Sequence, residues 1–280
     1  MAVPSLVELA EAGAHFGHHR SLTYPKARNF VYMIKSNVAL IDLEQTQTAI
    51  ETAQKIINQH RAANKPILIV GTKRSVRSLV AEVAEAIGAS YINERWFGGT
   101  LTNFATMQDN IKRMNELEEY LSSEKAERLS KKERLKNGSK LQRYHRFLKG
   151  LSNLKTLPAL IVLASASQDA IAIEEANQLA IPVLAITDTD MNPAKVTYPI
   201  PANDDAPKAT ELILRAIVAM PTAKMAKEPE ASVVEETVVE TAEPDKKVAK
   251  AKKAVKAEPK VKKSITKPVA KNSPLKRKSK

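Results

Sequence analysis

Pro66-Ile-Leu-Ile-Val-Gly-Thr-Lys-Arg-Ser75 is a continuous apolar run closed by a glycine and two cations, and the residues after it place Val76, Leu79, Val80, Val83 and Ala84 on one helical face. A strand that is apolar at every position is covered on both faces, which is the condition of a strand inside a parallel sheet. The unit recurs along the chain. Pro158-Ala-Leu-Ile-Val-Leu163 and Pro182-Val-Leu-Ala-Ile-Thr187 read as further buried strands with a helix from Ile171 to Ala180 between them, and Tyr91-Ile92 as a short one. Upstream, Val38-Ala-Leu-Ile41 reads as a buried strand feeding a helix that starts with Asp42 and Gln45 at capping spacing and carries Ala49, Ile50, Ala53, Ile56 and Ile57 on one face. Apolar strands alternating with amphipathic helices give an α/β fold with helices on both faces of a parallel sheet.

Two segments leave this rhythm. Ser5 and Glu8 form a capping box before a short helix with Leu6, Leu9 and Ala10 inside, ending at Gly13. From Ala105 to Leu154, helical spacing of Ile111, Met114, Leu117 and Leu121, a charged turn near Ser130, and then Leu141, Tyr144, Leu148 and Leu151 predict an inserted antiparallel helical hairpin. Its second arm is basic, with Lys131, Lys136, Lys140, Arg143, Arg146 and Lys149; a solvated helix face is the plain alternative to a binding face.

Residues 1–220 hold 27 Lys and Arg against 23 Asp and Glu, net +4, whereas 221–280 hold 17 against 8, net +9. Beyond Lys224 there is no aromatic residue and almost every apolar residue is Ala or Val, so the tail is expected to be disordered. Its seven acids between Glu228 and Asp245 precede fifteen bases between Lys246 and Lys280, a polycation suited to nucleic acid. The chain has no cysteine, which excludes disulfides, thiolate metal sites and a thiol nucleophile. Neither an export-signal pattern near Met1 nor an apolar run of membrane-spanning length is present.

Candidate chemistry is sparse. Gly71-Thr-Lys-Arg-Ser75 lies between a strand and a helix, where backbone N–H groups and cations can meet a phosphate, but it lacks the P-loop ending, and the sequence has no G-x-G-x-x-G. A phosphate-ligand α/β enzyme using this loop is the alternative reading. Asn93-Glu-Arg-Trp-Phe-Gly-Gly-Thr-Leu-Thr-Asn103 contains the single tryptophan. There Trp96 reads as an anchor and Arg95 as a contact residue, beside a Gly98-Gly99 pair that permits positive φ. Asp42 reads as a helix cap, as do Asp204 and Asp205 ahead of Pro207, while Asp188 and Asp190 stand less explained at a strand end. His15, His18 and His19 fall in a Gly-containing turn without the ligand partners a zinc site needs. No nucleophile elbow exists, so no catalytic centre is visible.

In order along the chain, His15-Phe-Gly-His18, Pro25-Lys26, Ile41-Asp-Leu43 with Thr46, Val70-Gly-Thr-Lys73, Arg95-Trp-Phe-Gly-Gly-Thr-Leu-Thr-Asn103, Ile181-Pro-Val183, Thr187-Asp188 and Ile200-Pro-Ala-Asn-Asp-Asp205 resemble protein two of the small ribosomal subunit. The resemblance runs from about Ser5 to Met220. It implies a flavodoxin-like three-layer parallel sheet over 1–104 and 155–222, a protruding helical (coiled-coil) hairpin over 105–154, and a tail over 223–280. It also implies a ribonucleoprotein of translation with no catalytic activity. That protein would be cytoplasmic, or in an organelle's matrix or stroma, with no membrane and no homo-oligomer. Its implied partners are 16S-type ribosomal RNA, between head and body, and neighbouring proteins, notably ribosomal protein one, which it helps to seat for initiation. Lys26, Arg28, Lys73, Arg74, Arg77 and Arg95 are the candidate RNA contacts. His15, Gly17, His18, Trp96, Gly98, Gly99 and Asn103 are the candidate structural motif. No cofactor is required; one divalent ion at His18, Asp188 and Asp204 is left open. The chain departs from the family pattern at His19-Arg20, Thr23-Tyr-Pro-Lys-Ala27, Ser152-Asn153 and Ala164-Ser-Ala-Ser-Gln-Asp169.

Overall fold

A computed structural model describes residues 3–123 and 129–218. The tail expected over 223–280 and the tip of the hairpin lie outside the described residues. The elements are α1 (Leu6–Glu11), β1 (Phe16–His19), a 3-10 turn (Pro25–Phe30), β2 (Val31–Lys35), β3 (Val38–Ile41), α2 (Leu43–Ala62), β4 (Ile67–Val70), α3 (Arg77–Ile87) and β5 (Ser90–Ile92). After these come α4 (Phe104–Ser122), α5 (Lys131–Leu148), β6 (Leu160–Leu163), α6 (Ala170–Gln178), β7 (Val183–Thr187), β8 (Tyr198–Pro201) and α7 (Pro207–Ile217).

The main sheet is parallel with order β5-β4-β6-β7-β8. Renumbered within the sheet this is 2-1-3-4-5, the flavodoxin-like doubly wound order, with its switch point between β4 and β6. Successive residues of the central strands serve opposite faces, as a period of two requires. Ile67, Ile69, Leu160 and Val162 pack with α1, α2, α3 and α7 through Leu9, Ile50, Ile57, Val80, Val83, Ile213 and Leu214. Leu68, Val70, Ile161 and Leu163 pack with α4, the end of α5 and α6 through Met107, Ile111, Met114, Leu148, Ala172 and Ile173. These are the three layers.

Two strand assignments change. Val38–Ile41 is the middle strand of a separate antiparallel sheet, ordered β1-β3-β2, and not part of the parallel one. Its burial alternates with a period of two, one face buried and the other half-buried, which a four-residue apolar run did not reveal. The fifth parallel strand is β8, Tyr-Pro-Ile-Pro, whose prolines argue against a strand in general and are tolerated here because β8 is the sheet edge. The histidines also move: Phe16–His19 is strand β1, paired with β3, and not a turn. A two-residue turn at Ser36 (φ 52°) and Asn37 (φ 63°) joins β2 to β3, the left-handed pair that a tight hairpin needs.

Candidate functional site

The switch point between β4 and β6 is where a doubly wound sheet places its ligands. Gly71 ends β4 there because a Cβ would lie 2.6 Å from Val80 Cγ2 and 3.0 Å from Ala164 Cβ, so the glycine serves close packing. The donors of Thr72 and the Lys73 side chain are already engaged. Thr72 Oγ1 donates to Asp169 Oδ1 at 2.7 Å and its N–H to Asp169 Oδ2 at 3.4 Å. Lys73 Nζ donates to Asp204 Oδ1 at 2.8 Å, to Asp205 Oδ1 at 2.9 Å and to the Asp204 carbonyl at 3.1 Å. The second oxygen of Asp204 accepts from Ser165 Oγ at 2.6 Å and Ser167 Oγ at 3.3 Å.

Burial lowers the Lys73 pKa, yet the two aspartates outweigh it and the net shift is upward. Burial raises Asp169 despite its Thr72 contacts, and Lys73 holds Asp205 below its ordinary value. Thr72 and Lys73, two of the groups that would meet a phosphate, are thus held by the chain's own carboxylates, which argues against the phosphate-ligand reading of Gly71–Ser75. Asp204 is not a cap either: the α7 N-cap is Ala206, and Asn203 Oδ1 accepts from the N–H groups of Asp205 and Ala206.

Beside this cluster runs β1. Gly17 approaches β3 and the β7 end so closely that a Cβ would meet Thr189 Cγ2 at 2.8 Å and the Ala39 carbonyl at 3.1 Å. The His18 N–H donates to Thr189 Oγ1 at 2.8 Å. Its ring Nδ1 lies 3.1 Å from Asp188 Oδ1, while Nε2 lies 3.6 Å from Asp205 Oδ2 and 4.0 Å from Asp190 Oδ2. The Nδ1 contact has ion-pair distance without hydrogen-bond alignment, since that atom is buried with no hydrogen-bond partner among the described residues, as are His15 Nδ1 and Asp190 Oδ1. Burial lowers the His18 pKa, but Asp188, Asp190 and Asp205 turn the net shift upward. Burial raises Asp188 and Asp190 in spite of His18. Three acids face the His18 ring, and they set the upward direction for this pair.

His18, Asp188 and Asp204 do not fit a divalent ion as they stand. His18 and Asp188 meet, but both oxygens of Asp204 are engaged by Lys73 and Ser165. Among the described residues no group of three or more His, Cys, Asp or Glu is arranged to hold a metal. The Lys73 ammonium answers Asp204 and Asp205, and the His18 ring faces Asp188.

The loop before α4 is organised by a residue that sequence reasoning missed. Glu175 on α6 accepts from Trp96 Nε1 at 3.0 Å and Gly99 N at 2.8 Å through one oxygen. Through the other it accepts from Leu101 N at 2.9 Å, Thr102 N at 3.3 Å and Thr102 Oγ1 at 3.4 Å. Burial raises the Glu175 pKa, but these donors outweigh burial and the net shift is downward. Trp96 is buried, Gly99 adopts φ 88°, and Asn103 Oδ1 accepts from Thr106 Oγ1 at 2.8 Å. A signal was present: Glu175 stands on the apolar face of α6, between Ile173 and Ala176.

The six candidate RNA contacts divide. Lys26 and Arg28 on the 3-10 turn, Arg74 before α3 and Arg95 are exposed and form no ion pair among the described residues. Lys73 is committed to Asp204 and Asp205. Arg77 Nη1 donates to Glu94 Oε2 at 2.8 Å, which Arg146 Nη2 shares at 2.9 Å. Along α5, Lys132, Lys136, Lys140 and Arg143 are exposed and form no ion pair among the described residues.

The sequence model described as "Ribosomal protein S2" matches residues 9–223, most of the chain. The chain belongs to the ribosomal protein S2 family. Small ribosomal subunit protein uS2 of Koribacter versatilis is 37% identical over 242 residues, 86% of this chain and 80% of that protein. Small ribosomal subunit protein uS2 of Thermus thermophilus is 40% identical over 207 residues, 74% and 81% of the two chains. As a member of the S2 family this chain is a small-subunit ribosomal protein of translation, not an enzyme. No helix of its described residues is long and apolar enough to cross a membrane.

Proposed function

We propose that the chain binds small-subunit ribosomal RNA between head and body of the subunit, in the cytoplasm, and helps to seat ribosomal protein one for initiation. The observation that carries the RNA contact is the set of exposed cations that form no ion pair among the described residues: Lys26, Arg28, Arg74 and Arg95 on the body, and Lys132, Lys136, Lys140 and Arg143 on α5. Affinity for a folded RNA comes mainly from phosphates, which need such cations and no base code. Lys73 and Arg77 are left out of this set and act as internal struts.

Seating of a neighbouring protein is supported by the β1-β3-β2 sheet, which exposes Phe16, Tyr32, Met33 and Ile34, with Tyr32 75% exposed. In the strand register Phe16 and Met33 share one face of this sheet and Ile34 lies on the other, so apolar area is offered on both faces, which a protein neighbour can cover. The test uses small subunits purified from cells whose chain carries Arg74→Ala and Arg95→Ala. The double variant is expected to dissociate at lower salt than the unaltered chain. Equal salt resistance contradicts the assignment of these arginines.

A further inference from the structure

Between the loop before α4 and the two helices of the hairpin lies a cleft of about 440 Å³, within the size range of small-ligand clefts. Its walls combine three aromatic rings, Phe97, Tyr144 and Phe147, with the cations Lys140 and Arg143 and the amide of Asn110, and among the described residues no acid lines it. The Phe97 and Phe147 centroids are 5.3 Å apart in an edge-on arrangement, and Lys140 Nζ stands 5.6 Å from the Tyr144 centroid. Apart from that contact, no hydrogen bond or ion pair among the described residues engages Lys140, Arg143 or the Asn110 side chain. The mouth is open at Gly98, where a Cβ would meet nothing within 4 Å. One rim is the amino end of α4, whose N-cap Asn103 makes no side-chain cap hydrogen bond.

We propose that this cleft receives one unpaired nucleotide of RNA, its base against the aromatic rings and its phosphate at Lys140, Arg143 and the amino end of α4. The inference rests on the RNA-binding reading and deepens it. A base offers a flat apolar face and a hydrogen-bonding edge, and its phosphate a negative charge; rings, an unengaged amide and acid-free cations are the complementary set. A paired base cannot enter, so the cleft selects a bulged or looped residue and not a helix. An uncapped helix amino end adds partial positive charge on the phosphate side. Phosphate-only binding needs no aromatic rings at all, and this combination of rings and cations sets the cleft apart from the outward cations of the body.

Small subunits carrying the full-length, unaltered chain are irradiated with ultraviolet light, and modified peptides are sequenced. Nucleotide adducts are expected on Phe97, Tyr144 or Phe147. In subunits carrying Phe97→Ala, a half-exposed position outside the core, adducts on Tyr144 and Phe147 are expected to fall about fivefold or more at equal chain content. Adducts confined to other segments, with the chain present at full content, overturn the cleft assignment and leave RNA binding standing. A peptide crosslinked in the cleft in place of a nucleotide, or yields unchanged by Phe97→Ala, overturn it as well. Absence of the chain from the subunits overturns both readings.

Discussion

Replacing Glu175 by Ala should destabilise the body by about 3–5 kcal/mol. The carboxylate gathers five donors, and three of them lie within 3.0 Å: Trp96 Nε1, Gly99 N and Leu101 N. Each buried donor left unsatisfied costs about 1–3 kcal/mol, and water entering the space left by the side chain recovers part, which places the sum near the lower end. At about 2–4 °C per kcal/mol for a body of this size, the melting temperature should drop by roughly 6–20 °C. Glu175→Gln should fall between, because one oxygen still accepts while the amide meets N–H groups with its own donors.

The same geometry sets a pH dependence. The folded pKa of Glu175 lies below its ordinary 4.5, so its contribution is present above that value and lost as pH falls through the folded pKa. Glu175→Gln should remove that part of the acid limb. The assay is thermal unfolding followed by circular dichroism and by Trp96 fluorescence across pH 3–7, a range of roughly the carboxylate titration zone. A loss under about 1 kcal/mol in Glu175→Ala would refute the claim that this carboxylate organises the Arg95–Asn103 loop.

Lys73→Met leaves the buried Asp204 carboxylate without its cation and should cost about 3–5 kcal/mol in urea unfolding. Its direct effect on RNA contact, measured at a temperature where the variant is folded, should be small. Arg74→Ala and Arg95→Ala should show the reverse, with stability changed by less than about 0.5 kcal/mol and the logarithmic salt slope of RNA binding reduced by roughly one per residue. Gly17→Ala should lose about 1–3 kcal/mol, seen as a lower urea midpoint, because its Cβ meets Thr189 and the rigid Ala39 carbonyl. His18 has a folded pKa above its ordinary 6.5, so its ion-pair contribution is full below 6.5 and lost as pH rises through the folded value. A His18→Asn chain should lack that decline in a pH series of melting temperatures.

Much of the architecture was written in local pattern. β4, β6 and β7 are apolar at every position because both faces are covered, and that shows in sequence without any knowledge of partners. The capping box at Ser5 and the cap at Asp42 follow from short-range spacing; the box at Ser130 and Glu133 has the same spacing but reads in the sequence only as a charged turn. What escaped depended on distant neighbours. β3 has the composition of a core strand yet pairs antiparallel with β1 and β2, a choice made by a Ser36-Asn37 turn with no glycine to announce it. β8 hides behind two prolines that an edge position permits.

For the site, residue type pointed to cations but not to their partners. Lys73 and Arg77 looked the same as Arg74 and Arg95 in the sequence, and their acids lie 131, 132 and 17 residues away along the chain. Glu175 reaches Trp96 across 79 residues, so its role appears only once the sheet brings α6 beside the loop.

As proposed above, this chain works as a structural component of the small ribosomal subunit, bound to its RNA. Fractionation of growing cells on a density gradient, with quantification of this chain against other small-subunit proteins, tests that claim most directly. The chain is expected in the small-subunit peak at near-equal stoichiometry, retained after a moderate-salt wash and released by ribonuclease. A chain found wholly among free soluble proteins, or retained unchanged after complete digestion of the RNA, would contradict it.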